Sequence, residues 1–389
     1  MAIKKTSDKR ITEYTKKDGT YAYKFHLYIG RDPLTGKQIQ TTRRGFKTIK
    51  QAKIAMARLE IEMNDRGFLK NERTTFEDVY NEYFPQYKNT VKESTWVKTQ
   101  QMYKNHVIPI FGKKILSKIT PQQCQQAINK WYEDGFTKYK DFFHLISSVF
   151  QYAIRLGLVH DDPTKRVIVP KNKHVKDMTL NYFTVDELRT FFKYLDSDKY
   201  PKRAMFFRVL AFTGMRKGEA LALTWNDIDF KNNQISINKT IARGEDARLI
   251  VQTPKTRASK RVVNLDDKTM ADLKKWCSIQ AKELLMLGFN VLKNKDQLVF
   301  SNTNNEFIQP VKPQNWLYKI IKKYDLKRIT VHGFRHTYAT LAFEAGASIK
   351  EVQEQLGHSD FQTTMNIYTA VTDKQKLETT EKFAKYVNF

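Results

Sequence analysis

HGFRHTYATLAFEAG, His332 to Gly346, followed closely by SIKEVQEQLGHSDFQTTMNIYTAV, Ser348 to Val371, is the stretch on which the reading of this chain turns. His332 and Arg335 are three residues apart, which puts them one turn apart on one helix face. An imidazole can take or give a proton near neutral pH, whereas a guanidinium keeps its charge. Ser348 and Glu351 have capping-box spacing and open a short helix, with Gly357 placed to end it and His358 just beyond. Ser359 and Gln362 repeat the capping pattern and start the helix that carries Tyr368. Phe361, Met365 and Tyr368 are spaced four and three. On spacing alone, Tyr368 therefore fits a packed core position as well as a chemical one.

Working upstream, AFTGMRKGEALALTW sets Arg216 just after Thr213 and Gly214, with Glu219 one turn further on and able to hold the guanidinium. Two strand-like runs, RLIVQT and KRVVNL, flank the polar turn PKTRAS. Lys255 lies on that turn and Lys260 across it. Nucleotide-binding glycine loops, HExxH and GxSxG are absent, and no spaced carboxylate cluster demands two metals. No metal and no cofactor are expected. A chain without those devices can still grip a phosphate through paired arginines, because each guanidinium forks onto two oxygens.

Charge supplies the substrate class. Among 389 residues, 68 Lys and Arg stand against 41 Asp and Glu, a net charge of +27. Such a potential favours a polyanion, most simply nucleic acid, over an anionic membrane surface, for which no long basic amphipathic anchor exists. No run of eighteen apolar residues occurs and the start MAIKKTSDKR lacks an apolar signal region. A cytoplasmic protein without membrane association is expected. Cys124 and Cys277 have no ligand spacing and read as buried thiols in a reducing compartment.

The organisation follows from composition. Residues 1–73 hold 18 Lys and Arg against 8 Asp and Glu. There YAYKFHLYIG alternates like a strand, RDPLTGK supplies a turn, QIQTTRRGF returns, and a helix runs from Thr48 to Gly67. A small three-stranded sheet with one helix is expected over 1–70, able to lay strands in a DNA groove. Residues 75–162 read as four or five helices, including one from Lys140 to Gly157 and one capped by Thr120 and Gln123. TKRVIVPKNKHVK has no acid and reads as an extended basic linker, placed at 163–178. A mixed α+β region with a tail helix fills 179–389, opened by a Thr184–Glu187 capping box. The fold class is multidomain and mainly α. Basic residues expected to meet DNA are Lys24, Arg31, Lys37, Arg43, Arg44, Lys165, Arg166, Lys171 and Lys173.

Singly these signals are common. Their order, TGMRKGE, TPKT, HGFRHTYAT, LGHS and IYT across residues 213–369, resembles the tyrosine recombinase (phage-integrase) family. The resemblance implies that Tyr368 attacks a DNA phosphodiester, giving a 3′-phosphotyrosine. Arg216 and Arg335 would clamp the non-bridging oxygens, His332 would assist proton transfer and His358 would hydrogen-bond the phosphate. Lys255 would protonate the leaving 5′-oxygen, with Lys260 the alternative. It also implies a helical core-binding domain and a catalytic domain that together clamp duplex DNA. The N-terminal pattern resembles the arm-binding domain of integrases from temperate phages and conjugative transposons. Expected partners are core and arm DNA sites, a homotetramer on DNA, an excisionase and a host DNA-bending protein. A resolvase or invertase of the same chemistry, and a non-catalytic DNA-binding regulator on the same fold, are the alternatives.

Overall fold

The computed structural model describes residues 8–31, 38–66, 73–171, 181–195, 198–254, 259–291, 294, 296–357, 364–365 and 368–369, with the side chains of 29–31, 39 and 62–66 also outside the description. The chain divides into two compact units, Met1–Lys173 and His174–Phe389.

In the first unit, β1 (Ile11–Thr15), β2 (Tyr21–Arg31) and β3 (Gln38–Phe46) form an antiparallel sheet in that order, followed by α1 (Ile49–Arg66). The period-two alternation of β2 sends Phe25 and Leu27 to one face, where they meet Ile11 and the Ala52 and Met56 side of α1. Phe46 stacks on Phe25 at 5.5 Å. On the opposite face Lys24 lies across from Arg44 and His26 from Thr42. The Thr42 hydroxyl and His26 Nδ1 share a hydrogen bond of 2.7 Å. The expected three-stranded sheet with one helix is therefore present.

Next come α2 (Phe76–Lys88), α3 (Glu93–Met102), α4 (Ile108–Phe111), α5 (Pro121–Glu133) and α6 (Tyr139–Arg155), with a π-helical turn joining α3 to α4. Thr75 and Thr120 cap α2 and α5 in reciprocal boxes with Asp78 and Gln123. The apolar stripe of α6, Phe142, Ile146, Val149 and Phe150, closes over Phe76, Val107, Phe111 and Ile128. The stretch after α6, where an extended basic linker is expected, is held on the helical core as far as residue 170. Asp162 is fully buried and accepts from Ser147, Gln151 and Thr164, nucleating a 3₁₀ turn at Pro163–Arg166. Gln125 then pairs with both backbone groups of Ile168, and the Tyr139 hydroxyl donates to the Pro170 carbonyl. Residues 163–170 are thus tied to this helical core by paired polar groups that a reading of charge alone could not foresee.

The second unit contains α7 (Val185–Tyr194), α8 (Pro201–Thr213), α9 (Lys217–Ala222), β4 (Ile228–Asp229), β5 (Gln234–Ile237), β6 (Thr240–Arg243), β7 (Leu249–Gln252), β8 (Arg261–Asn264), α10 (Asp267–Met286), α11 (Lys312–Tyr324), α12 (Gly333–Glu344) and α13 (Ile349–Leu356). Helix α8 is apolar on most of its circumference, and Phe206, Phe207, Val209 and Leu210 are buried, so it forms the centre of the unit. Phe334 at the start of α12 meets Phe207 at 5.2 Å and Phe191 at 5.3 Å, and each such fully buried ring contributes about 1.5–3 kcal/mol. This aromatic contact fixes the first turn of α12 against α8. Both strand-like runs are strands. RLIVQT pairs with β6 and KRVVNL with β5, in sheets β6–β7 and β4–β5–β8, so the runs flanking Lys255 belong to separate sheets. On β5, Ile235 lies across from Val263, and both are fully buried.

Candidate active site

Arg216 sits between two buried helices. Gly214 ends α8 with φ +64 and turns the chain toward α9; a Cβ there would lie 2.5 Å from a Leu356 methyl and 3.0 Å from the Tyr338 ring. The glycine is thus required by both backbone conformation and space. Past this turn the Arg216 backbone N–H donates to Glu219 Oε2 at 2.9 Å, and its Nη1 donates to Oε1 at 2.8 Å. The expected Arg216–Glu219 pair is formed, with Glu219 only 3% exposed and Arg216 38%.

Sequence reasoning missed a second partner. Arg261 Nη2 donates to Glu219 Oε2 at 3.0 Å, and the Arg261 side chain is 6% exposed. Only strand pairing reveals that the first residue of β8 points inward; the alternation of the run KRVVNL leaves open which of Lys260 and Arg261 does so. Arg335, on the first turn of α12, is buried and forks onto two carbonyls, Gly214 at 2.9 Å and Leu356 at 2.7 Å.

The end of α13 gathers all three cations. Gln355 O accepts from Arg261 Nε at 2.7 Å, Leu356 O from Arg335, and Gly357 O from Arg216 Nη2 at 3.5 Å. Gly357 terminates the helix in the left-handed region, φ 65, after a Ser348–Glu351 capping box, as its sequence pattern predicts. A helix C-terminus leaves its last carbonyls unpaired and carries partial negative charge, so successive guanidiniums suit it.

The electrostatics follow. Three guanidiniums, Arg216, Arg261 and Arg335, face one carboxylate, Glu219. Burial would raise the Glu219 carboxyl, but the charges of Arg261 and Arg216 and their hydrogen bonds bring it below the usual value. Burial pushes the Arg335 guanidinium down to about 9, with repulsion from Arg216 and Arg261 adding to it. It stays charged at neutral pH, in a cluster short of negative charge. His332 stands at the N-terminal end of α12 with its ring edge-on to His336 at 5.0 Å. Its imidazole is pushed down to about 4, by burial first and then by the charges of His336, Arg335 and Arg216. His332 keeps open surface, so water offsets part of the burial effect; the direction, a neutral imidazole at pH 7, is what the chemistry uses. Such a cluster can hold an anionic tetrahedral group beside a neutral proton acceptor.

Tyr368 is seated on the same two helices. Its ring stands edge-on to Phe343 of α12 at 5.2 Å and packs on the cluster of Ala339, Phe343, Val352 and Leu356. The packing role that its spacing allows is thus realised, on the helices that carry Arg335 and Gly357. Lys255, His358, Lys37 and Lys173 lie outside the described residues, as does the side chain of Arg31. Lys260 is exposed beside β8. Of the basic residues expected to meet DNA, Arg43, Arg44, Lys165, Arg166 and Lys171 are exposed, and Arg166 pairs with Asp161. Lys24 is half-buried with its ammonium 5.9 Å from the Tyr14 ring centre. Among the described residues no group of three or more His, Cys, Asp or Glu side chains is placed to hold a metal ion, and no helix is long and apolar enough to cross a membrane.

Three family models match the chain: the phage integrase family over residues 181–375, the phage integrase N-terminal SAM-like domain over 75–132, and an arm DNA-binding domain over 12–63. A tyrosine recombinase XerC-like protein of Caldanaerobacter subterraneus is 30% identical over 393 residues, covering 95% of this chain and 97% of its own. The ICEBs1 integrase of Bacillus subtilis is 25% identical, covering 92% and 96%. Among solved structures, a Tn1549 transposon integrase in complex with transposon right end DNA matches with TM-score 0.62 at 18% identity, over 78% of this chain and 99% of that one.

Proposed function

Because this chain belongs to the phage integrase family, as a tyrosine recombinase of the conjugative-transposon or phage type, we propose that it cleaves and rejoins duplex DNA with Tyr368 as nucleophile. The observation that carries the assignment of residues is the cation cluster at the end of α13, where Arg216 and Arg335 share one helix terminus and, with Arg261, have the single carboxylate of Glu219 among them.

In this reading the scissile phosphodiester fills that deficit. Arg216 and Arg335 hold its non-bridging oxygens and stabilise the charge that grows in the pentacoordinate transition state. Neutral His332 accepts the phenolic proton, which matters because a phenol of pKa near 10 is a weak nucleophile at pH 7. Tyr368 Oη bonds to phosphorus as the 5′-oxygen leaves, and Lys255 gives that oxygen a proton. His358 hydrogen-bonds the phosphate. Rejoining reverses the step, so the phosphotyrosyl bond conserves the energy and no nucleotide is consumed.

Residues 1–70 bind arm-type sites through the sheet face bearing Lys24 and Arg44, the helical region 75–162 and the catalytic region from 179 bind core sites, and 163–178 connects them. Exchange of two duplexes requires four strand cleavages; with one Tyr368 per chain, four protomers assemble on the paired sites. An excisionase and a host DNA-bending protein set direction, and the chain works in the cytoplasm on the nucleoid. The test uses a nicked duplex spanning an end of the mobile element, without ATP and with excess EDTA. A denaturation-resistant protein–DNA product is expected, its attachment mapping to the Tyr368 peptide. Product that requires ATP or a divalent cation would overturn the mechanism.

A further inference from the structure

We infer that Arg261 is a positioning residue for strand transfer, one that holds Arg216 and the end of α13 in register with each other. The inference rests on the reading that Arg216 grips the scissile phosphodiester. Arg261 ties three elements together from one buried side chain. Nη2 donates to Glu219 Oε2 at 3.0 Å, Nε to the Gln355 carbonyl at 2.7 Å and Nη1 to the Ser259 carbonyl at 3.2 Å. Glu219 in turn holds the Arg216 backbone and guanidinium. Gln355 precedes by one residue the carbonyl that Arg335 uses, and by two the one that Arg216 reaches.

Geometry makes this more than a stabilising ion pair. Arg216 Nη1 is occupied by Glu219, and Nη2 has its long 3.5 Å contact with Gly357, so its direction depends on where Glu219 and the α13 end stand relative to one another. Arg261 spans that gap, bonded to Glu219 on one side and Gln355 on the other. Three of its five N–H groups donate within the protein, and its side chain is 6% exposed against 38% for Arg216, so it is Arg216 that is open to a ligand. Its fork geometry is needed, since a lysine ammonium offers one point charge where three directions must be met.

The experiment compares the full-length wild type with Arg261→Met and Arg261→Lys in single-turnover covalent attachment to a nicked element-end duplex. Each is run with an ordinary scissile phosphate and with a methylphosphonate, which lacks the non-bridging charge that Arg216 neutralises. Binding affinity and melting temperature are measured alongside. With the ordinary phosphate, Arg261→Met should react about a hundredfold more slowly than wild type, the scale of a misplacement near 1 Å. Its loss should shrink at least tenfold on the methylphosphonate, as that of Arg216→Ala does, and Arg261→Lys should fall between. A wild-type rate in Arg261→Met, or an equal loss on both substrates, would overturn the inference in favour of a purely structural pair. If Arg261→Met fails to fold, the same ratio in Arg261→Lys decides the matter. Absence of covalent product from the wild type would instead overturn the reading beneath the inference.

Discussion

Replacing Glu219 by Gln tests the shared counter-charge most fully. The carboxylate is 3% exposed and accepts from the Arg216 backbone, Arg216 Nη1 and Arg261 Nη2, all within 3.0 Å. An amide of the same shape keeps an acceptor but also points N–H groups at a donor, and leaves the buried Arg261 without a counter-charge. Removing one partner of a buried pair costs about 3–5 kcal/mol, and the retained shape argues for about 3. For a cooperative unit of this size that corresponds to a melting shift of roughly 6–12 °C. The acid range adds a sign. Glu219 is held below its ordinary 4.5, so its contribution is fully present above that pH and is lost as pH falls through the folded value. The gap between wild type and Glu219→Gln should therefore be constant from pH 5 to 8 and close in acid. Cleavage should slow about a hundredfold as Arg216 loses its direction, while DNA affinity, set mostly by remote phosphate contacts, should change little. Differential scanning fluorimetry across pH and a single-turnover assay check both arms. A variant melting with the wild type and cleaving at its rate would refute the shared counter-charge.

Other consequences are as direct. Gly214→Ala should lose about 2–4 kcal/mol in chemical denaturation and most of its cleavage, because a positive-φ turn and a 2.5 Å approach to Leu356 both exclude a methyl; a stable, active variant would contradict the packing of the α8 end on α13. An ordinary imidazole is about one-quarter neutral at pH 6, so with His332 pushed down to about 4 the acid limb of kcat/KM should lie below pH 6. A limb at or above 6.5 would oppose the neutral-base role. Deleting residues 1–70 should spare cleavage of core sites and abolish integration in a plasmid assay; unimpaired integration would defeat the two-site reading.

Much of this was legible in the sequence because it depended on local chemistry. Capping boxes at Thr120, Thr184 and Ser348 lie where their spacing demands, since the partners are three residues apart. The alternation of YAYKFHLYIG predicts the face of β2 that meets α1. The Arg216–Glu219 pair is one helical turn and needs no tertiary knowledge. What escaped depends on distant pairing. The role of Arg261 requires β8 to pair with β5 and to abut α13, 94 residues on. That β7 and β8 join different sheets depends on their partners β6 and β5, which a local reading of the two runs does not supply. The docking of residues 163–170 rests on Gln125, a polar residue more than forty positions upstream.

That Tyr368 is the nucleophile as well as a packing residue is decided by Tyr368→Phe on the nicked duplex. Phenylalanine keeps the ring that meets Phe343 and removes the hydroxyl. The variant should fold, bind DNA with wild-type affinity and form no covalent product. Covalent attachment by the phenylalanine variant would contradict it.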